Sequence, residues 1–211
     1  MSNLVTFTEK QVISKGLNQN NKIDENKLKE HFLADDYEKL KLLEKIQKIN
    51  QPKEKPTIFY PGCGSDILTP LIYLEKLFPQ TKEANLIFID EVDFKGIIKT
   101  ILDEIGVTFS EGIKKNKNKI KFYWKNTLIN LEFIEENIFN LNLPEFDIYF
   151  EKAFRIMKDR NSDYEKNIIN KLNKNGILIS DSGFQNTKLK NLNAPTELST
   201  YREMIIGVKE N

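Results

Sequence analysis

Four short, mostly apolar runs separated by segments of helical period constrain this chain more than any other feature. They are Thr57-Ile58-Phe59-Tyr60, Leu86-Ile87-Phe88-Ile89, Phe146 to Phe150 and Ile177-Leu178-Ile179. A run with little polar alternation has no face to give to water, so each reads as a strand buried on both sides. Between them apolar residues recur at three and four, through Leu71, Ile72, Leu74, Leu77 and Phe78, and again through Phe94, Ile97, Ile98, Ile101, Leu102 and Ile105. Asp93 caps the second of these helices and Gly106 closes it. A further helix spans Asp163 to Leu172, and Asn175-Gly176 leads into the strand at Ile177. Strand and helix alternating from residue 57 to 180 predict an α/β fold with a doubly wound, mostly parallel sheet and helices on both faces.

Other segments depart from that rhythm. Residues 1 to 22 form an irregular arm with a short strand at Leu4 to Phe7. Asp24 to Ile49 places Leu28, Phe32, Leu33, Tyr37, Leu40, Leu43 and Ile46 on a helical stripe, in two pieces broken near Asp35 and Asp36. Pro52 and Pro56 flank a charged linker, so residues 1–55 read as an arm with a helical extension and 56–211 as the main domain. Ile120, Phe122 and Trp124, then Ile129, Leu131 and Phe133, alternate with polar residues on either side of Lys125-Asn126, which predicts a hairpin. Met204 to Val208 is a final, antiparallel strand.

Composition narrows the chemistry. The 211 residues carry 32 Lys and Arg against 31 Asp and Glu, so no field of one sign attracts nucleic acid or an anionic membrane. Cys63 is the only cysteine and His31 the only histidine, which excludes internal disulfides and cysteine- or histidine-rich metal sites and argues for a reducing, cytoplasmic setting without a metal cofactor. His31 lies far in sequence from Cys63, against a Cys-His pair. No apolar run is long enough to span a membrane, and the opening MSNLVTFTEK lacks the order of a signal peptide, so no membrane partner is expected.

A doubly wound sheet offers ligands the residues at the carboxyl ends of its strands. After the first strand stands Tyr60-Pro61-Gly62-Cys63-Gly64-Ser65-Asp66, where two glycines let the backbone turn sharply and approach a ligand without a Cβ in the way. The second strand ends on Asp90-Glu91, and Asp90 is an acceptor suited to two vicinal ribose hydroxyls. A dinucleotide fingerprint needs glycine where Ile67 stands, and a P-loop needs Gly-Lys before Ser or Thr, so both are absent.

Over residues 55 to 182 these elements resemble the class I S-adenosylmethionine-dependent methyltransferase pattern. Ile58 to Ser65 looks like its first motif and Leu86 to Asp90 like its second. Glu136-Asn137-Ile138-Phe139 with Leu143-Pro144 and Phe146-Asp147-Ile148 is similar to the stretch that contacts adenine and enters the fourth strand. Asn173 to Ile179 resembles the entry to the fifth. The resemblance implies a Rossmann-like fold, S-adenosylmethionine as cofactor and methyl transfer to an acceptor of small or macromolecular kind. Gly62 and Gly64, within the loop that also holds Tyr60, Cys63 and Asp66, would border the methionine part. Asp90, beside Glu91, would bind the ribose, and Asn137, beside Glu136, would accept from the adenine amino group.

The chain departs from that pattern at two places. Tyr60 stands where the family carries an acid, and Asp66 where it carries a third glycine. Asp66 either restores the lost carboxylate or caps the next helix. Pro70 fits a first turn and delays the helix start. Glu151, at the end of the fourth strand, is a candidate to orient an acceptor amine or act as a base, or else pairs with Lys152 or Arg155 in solvent. Asp181 and Ser182 end the fifth strand facing the same rim, with Tyr201 available there if the C-terminal segment folds over. Lys114, Lys115, Lys117, Lys119 and Lys121, followed by Phe122-Tyr123-Trp124, form a candidate RNA patch, because lysines neutralise phosphates and aromatic faces stack on bases. Alternation offers the other reading, in which the lysines only guard an exposed strand. The leading reading is a methyltransferase. Its rivals are a non-catalytic descendant of the fold serving as a protein- or RNA-binding module, and another nucleotide-binding protein that uses Asp90 on a ribose.

Overall fold

The computed structural model describes residues 8–50, 52–112, 118–185 and 188–210. The strand expected at Leu4 to Phe7 and the lysines Lys114, Lys115 and Lys117 lie outside those residues. In chain order the elements are α1 (Glu25–Glu30), α2 (Ala34–Leu40), β1 (Thr57–Pro61), α3 (Leu68–Leu77), β2 (Glu83–Asp90), α4 (Lys95–Glu104), β3 (Phe109–Glu111), β4 (Lys119–Trp124) and β5 (Thr127–Glu135). They continue with β6 (Phe146–Glu151), α5 (Arg155–Asp159), α6 (Tyr164–Lys171), β7 (Leu172–Ser180), β8 (Leu189–Asn191) and β9 (Ile205–Lys209).

The strands form one sheet in the order β3-β4-β5-β2-β1-β6-β7-β9-β8. The central five, β5, β2, β1, β6 and β7, are parallel, and β9 runs antiparallel to β7. This is the Rossmann-like, doubly wound arrangement with an antiparallel strand near the chain's end. The winding reverses at β1, whose neighbours are β2 on one edge and β6 on the other, so the crevice for a ligand opens above the carboxyl end of β1.

Period two along the strands divides the core between the two faces. Ile58, Tyr60, Phe88, Phe150 and Ile179 pack against Leu71 and Leu74 of α3 and Ile98 and Ile101 of α4. Phe59, Ile89, Tyr149 and Leu178 pack on the opposite side with Tyr164 and Ile168 of α6. The hairpin follows its alternation, with Phe122 and Trp124 buried, Lys119 paired with Glu132 at 3.1 Å, and Lys125 turning at φ 51°.

Three elements were not legible in the sequence: β3, β8 and α5. The two edge strands are three residues each and the helix five, too short to show a period. The arm breaks earlier than expected, at residues 31–33, because Leu33 takes extended backbone at φ −64°, ψ 141°. Pro70 sits in the first turn of α3, which begins at Leu68, where its missing N–H costs no intrahelical bond. The arm shares the main core: Leu28, Leu40, Leu43 and Ile46 belong to the same buried cluster as α3 and the sheet.

That sharing has a measurable consequence. Leu43 is fully buried, so Leu43→Ala is expected to cost about 3 kcal/mol of global stability. Urea unfolding followed by far-ultraviolet circular dichroism and by Trp124 fluorescence should give one coincident, shifted transition. Two separated transitions would show that the arm and the sheet fold independently.

Candidate functional site

The chain leaves the sheet after Pro61 and turns through Gly62 and Gly64, at φ +58° and +51°, a region that L side chains rarely enter. The two glycines have different reasons. A Cβ on Gly62 would sit 2.5 Å from the Phe154 ring, which fills that space from below; a Cβ on Gly64 would meet nothing within 4 Å. Gly64 therefore presents open backbone to the cleft. The turn is tied to β2, since the Gly62 N–H donates to the Ile89 carbonyl at 2.8 Å and the Gly64 N–H to Asp90 Oδ2 at 2.9 Å. Asp90 Oδ1 accepts from the Val92 N–H at 3.3 Å, leaving each carboxylate oxygen further acceptor capacity.

These residues line a cleft of about 460 Å³, within the range of small-molecule sites. Six of the residues singled out in the sequence come together there: Tyr60, Gly62, Cys63, Gly64, Asp66 and Asp90. Tyr60 is buried, edge-on to Phe88 and Phe150, and its hydroxyl donates to Asp66 Oδ2 at 3.1 Å. Asp66 Oδ1 accepts from the Thr69 N–H at 3.1 Å, so Asp66 caps α3 while its carboxylate borders the cleft. Burial, with the Asp90 carboxylate beside it, pushes the Cys63 thiol far above its ordinary range, and the thiol points at the Ile89 carbonyl. Cys63 is thus a packing residue and no thiolate nucleophile.

Glu91, Glu136 and Asn137 are not among the lining residues. They form a chain of contacts beside Asp90: Glu136 N–H donates to the Asp90 carbonyl at 2.9 Å, and Asn137 Nδ2 donates to Glu91 Oε1. Asn137 Oδ1, the atom expected on adenine, accepts from the Phe139 N–H at 2.9 Å.

The other lining residues were not picked out from the sequence. Among them are His31, Phe32, Leu33 and Asp36 of the arm, Phe94 and Ile101, and Thr69, Lys152 and Ala153. The arm contacts are set by tertiary packing, and no local pattern announces them. His31 and Cys63 share the cleft despite their separation in sequence. Burial pulls the His31 pKa down, opposed by Glu104, whose carboxylate lies 3.5 Å from Nε2.

Glu151 is corrected in its partner and direction. Its side chain points to the α5–α6 side, pairs with neither Lys152 nor Arg155, and is fully buried. Lys158 Nζ and Ser182 Oγ each donate to Oε1 at 2.6 Å, Ser180 Oγ donates to the same atom, and Tyr149 donates to Oε2 at 2.6 Å. A carboxylate so saturated is a structural hub, not a free base. Ser182 belongs to that hub, and Tyr201 lies on the Arg155 guanidinium, 4.7 Å from ring centroid to Cζ. Asp181 alone of this group turns to the α3 side, where Oδ1 accepts from the Ala153 N–H at 2.9 Å and holds that residue at φ 56°. Burial raises the Asp181 carboxyl from 3.8 to about 6, reinforced by Glu151 and opposed by the Ala153 N–H and by Lys152 and Lys158.

No protein-family model and no curated protein matches this chain. Several solved structures resemble it, and S-adenosylmethionine-dependent methyltransferases are among them. A Listeria monocytogenes protein assigned provisionally to class I of these enzymes is 12% identical with a TM-score of 0.44, over 93% of this chain and 64% of that one. YcgJ from Bacillus subtilis is 16% identical with a TM-score of 0.40, over 68% of this chain and 49% of that one. Precorrin-6y C5,15-methyltransferase from Geobacter metallireducens is 13% identical with a TM-score of 0.36, over 68% and 58%. This chain thus spans between half and just under two thirds of their lengths. The likeness is one of architecture and carries neither substrate nor activity.

Asp181 makes stability depend on pH with a definite sign. The folded carboxyl keeps its proton up to about pH 6, whereas an unfolded aspartate loses it near 3.8. Between those values the native state binds more protons, so this contribution to stability falls as pH rises and levels off above 6. Asp181→Asn retains an oxygen for the Ala153 N–H, so its melting temperature should gain on the parent's from about pH 4.5 to 7 and then run parallel. A gap that stays constant across that window overturns the assignment.

Proposed function

We propose that the cleft binds S-adenosylmethionine and that the protein is a methyltransferase. The observation that carries this reading is the open Gly64 backbone, held by the Asp90 carboxylate above the point where the winding of the sheet reverses. The residues present fit such a ligand: bare backbone at Gly64, carboxylates at Asp66 and Asp90, an aromatic face at Phe94 and a volume of about 460 Å³. The resemblance of Ile58 to Ser65 and Leu86 to Asp90 to the methyltransferase motifs supports it independently.

When bound, the cofactor supplies an electrophilic methyl group on a sulfonium. Asp90 has acceptor capacity left for ribose hydroxyls, and Asp66, oriented by the Tyr60 hydroxyl, is an acceptor for the ammonium of the amino-acid end. Asn137 is not among the residues that line the cleft, so Phe94, which is, is the better support for an adenine ring. Phe32 and Leu33 of the arm give the cleft an apolar wall on its open side. In-line methyl transfer needs mainly positioning, which these walls supply.

Calorimetry with S-adenosylhomocysteine tests the reading. The parent chain should bind with a dissociation constant below about 100 μM, and Asp90→Asn, which keeps an acceptor for the Gly64 N–H, should weaken binding at least tenfold. No heat at about 1 mM ligand sinks the proposal and leaves the non-catalytic reading standing.

A further inference from the structure

Beside the cleft lies a second, smaller chamber of about 30 Å³. One water-sized centre needs roughly 10–15 Å³ on this measure, so the chamber holds a head group of one or two heavy atoms. Phe32, Asp36, Thr69 and Lys152 line both spaces, which therefore share a wall. The arm covers the chamber through α2, which packs against the turn at Thr196–Leu198. Tyr73 of α3 and Asp181 at the end of β7 line it from within.

Two groups in this chamber lack what burial ordinarily demands. Thr69 is 3% exposed, and its Oγ1 is the one buried side-chain polar atom without a hydrogen-bond partner among the described residues. A buried hydroxyl left unpaired is costly, and native structures seldom carry one without a reason. Asp181 is 5% exposed, and its carboxylate meets one backbone N–H but no cation within 4.0 Å among the described residues. The nearby charges are committed elsewhere or stand further off: Asp36 pairs with Lys39 at 3.1 Å, Glu151 with Lys158 at 2.6 Å, and Lys152 lies outside ion-pair distance of Asp181.

We propose that this chamber receives the amino group of a small primary amine, with N–H bonds to the Asp181 carboxylate and the Thr69 hydroxyl. The donor count and charge select this chemistry. An ammonium carries three donors and the missing positive charge, a carboxylate would be repelled by Asp181, and a methyl would leave both groups unsatisfied. Resting on the cofactor reading above, the same amine is the methyl acceptor. The bound ammonium first releases one proton to solvent. Its nitrogen lone pair then forms the N–C bond as the S–C bond breaks, with that electron pair returning to sulfur as a neutral thioether. The product is a secondary ammonium facing the Asp181 carboxylate.

The probe is methylammonium chloride, titrated into the full chain at about pH 7.5 and followed by amide resonances of Thr69, Ala153 and Asp181, with and without S-adenosylhomocysteine. The affinity ceiling for a ligand of two heavy atoms corresponds to a dissociation constant of about 10 mM. Saturable shifts at these amides up to about 100 mM are expected, lost or weakened at least tenfold in Asp181→Asn and reduced in Thr69→Val. Thr69→Val replaces an unpaired hydroxyl by a methyl and is expected to fold with undiminished melting temperature, which keeps the comparison interpretable. Shifts of equal size with tetramethylammonium or acetate, or an unchanged response in Asp181→Asn, overturn the proposal, as does no shift in the parent. Methylammonium binding without any binding of S-adenosylhomocysteine would remove the cofactor reading and leave the amine chamber; the converse would remove the chamber alone.

Discussion

The pairing of β1 on both edges is the constraint on which the rest depends. Its Ile58 lies opposite Leu86 of β2 and Ile148 of β6, so neither edge of the strand is open to solvent. A strand hemmed in this way releases the chain only at its end, and the backbone there must turn at once. Gly62 and Gly64 make that turn possible by taking positive φ, and bonds to the Ile89 carbonyl and the Asp90 carboxylate hold it. The open backbone of the cleft is therefore a consequence of how the sheet is wound. Asp90 serves the loop before it serves any ligand, which gives it a structural duty that a change at this position disturbs as well.

Strand parity decides which polar residues can reach that cleft. Glu151 and Ser180 are register partners on β6 and β7, and both point into the layer of α5 and α6, where Lys158, Tyr149 and Ser182 saturate them. Asp181, one residue beyond Ser180, turns to the other face and lines the chamber with Tyr73 and Thr69. Two carboxylates at the ends of adjacent strands thus have opposite lives. One is a fully bonded hub beneath the sheet, and the other is a desolvated acid with its carboxyl raised to about 6 at the wall of a chamber. The phase of a two-residue period is enough to separate them.

The arm joins the two halves of this picture. Leu28, Leu40, Leu43 and Ile46 anchor it in the core that α3 and the sheet share, while Phe32 and Asp36 reach over both the cleft and the chamber. Because one face of the same short helices is committed to the core, the residues between the anchors are held above the carboxyl ends of the strands. Covering the cleft and stabilising the fold are one act of packing. No helix among the described residues is long and apolar enough to cross a membrane.

The sequence by itself determined the strands at Thr57, Leu86, Phe146 and Ile177, the helices between them, the hairpin at Lys125 and the glycine turn, because burial on both faces and helical period leave local marks in residue order. It also brought forward six residues that meet in the cleft, since a doubly wound sheet presents the ends of its strands to one crevice. Short elements such as β3, β8 and α5 left too few residues for a period to show. Only the tertiary structure decided which way Glu151 and Asp181 face, that Asn137 stands outside the lining of the cleft and accepts from the Phe139 N–H, and that His31 and Phe32 come to the same cleft as Cys63. Those outcomes depend on strand register and on packing between segments far apart in the chain, and neither is written in the order of neighbouring residues.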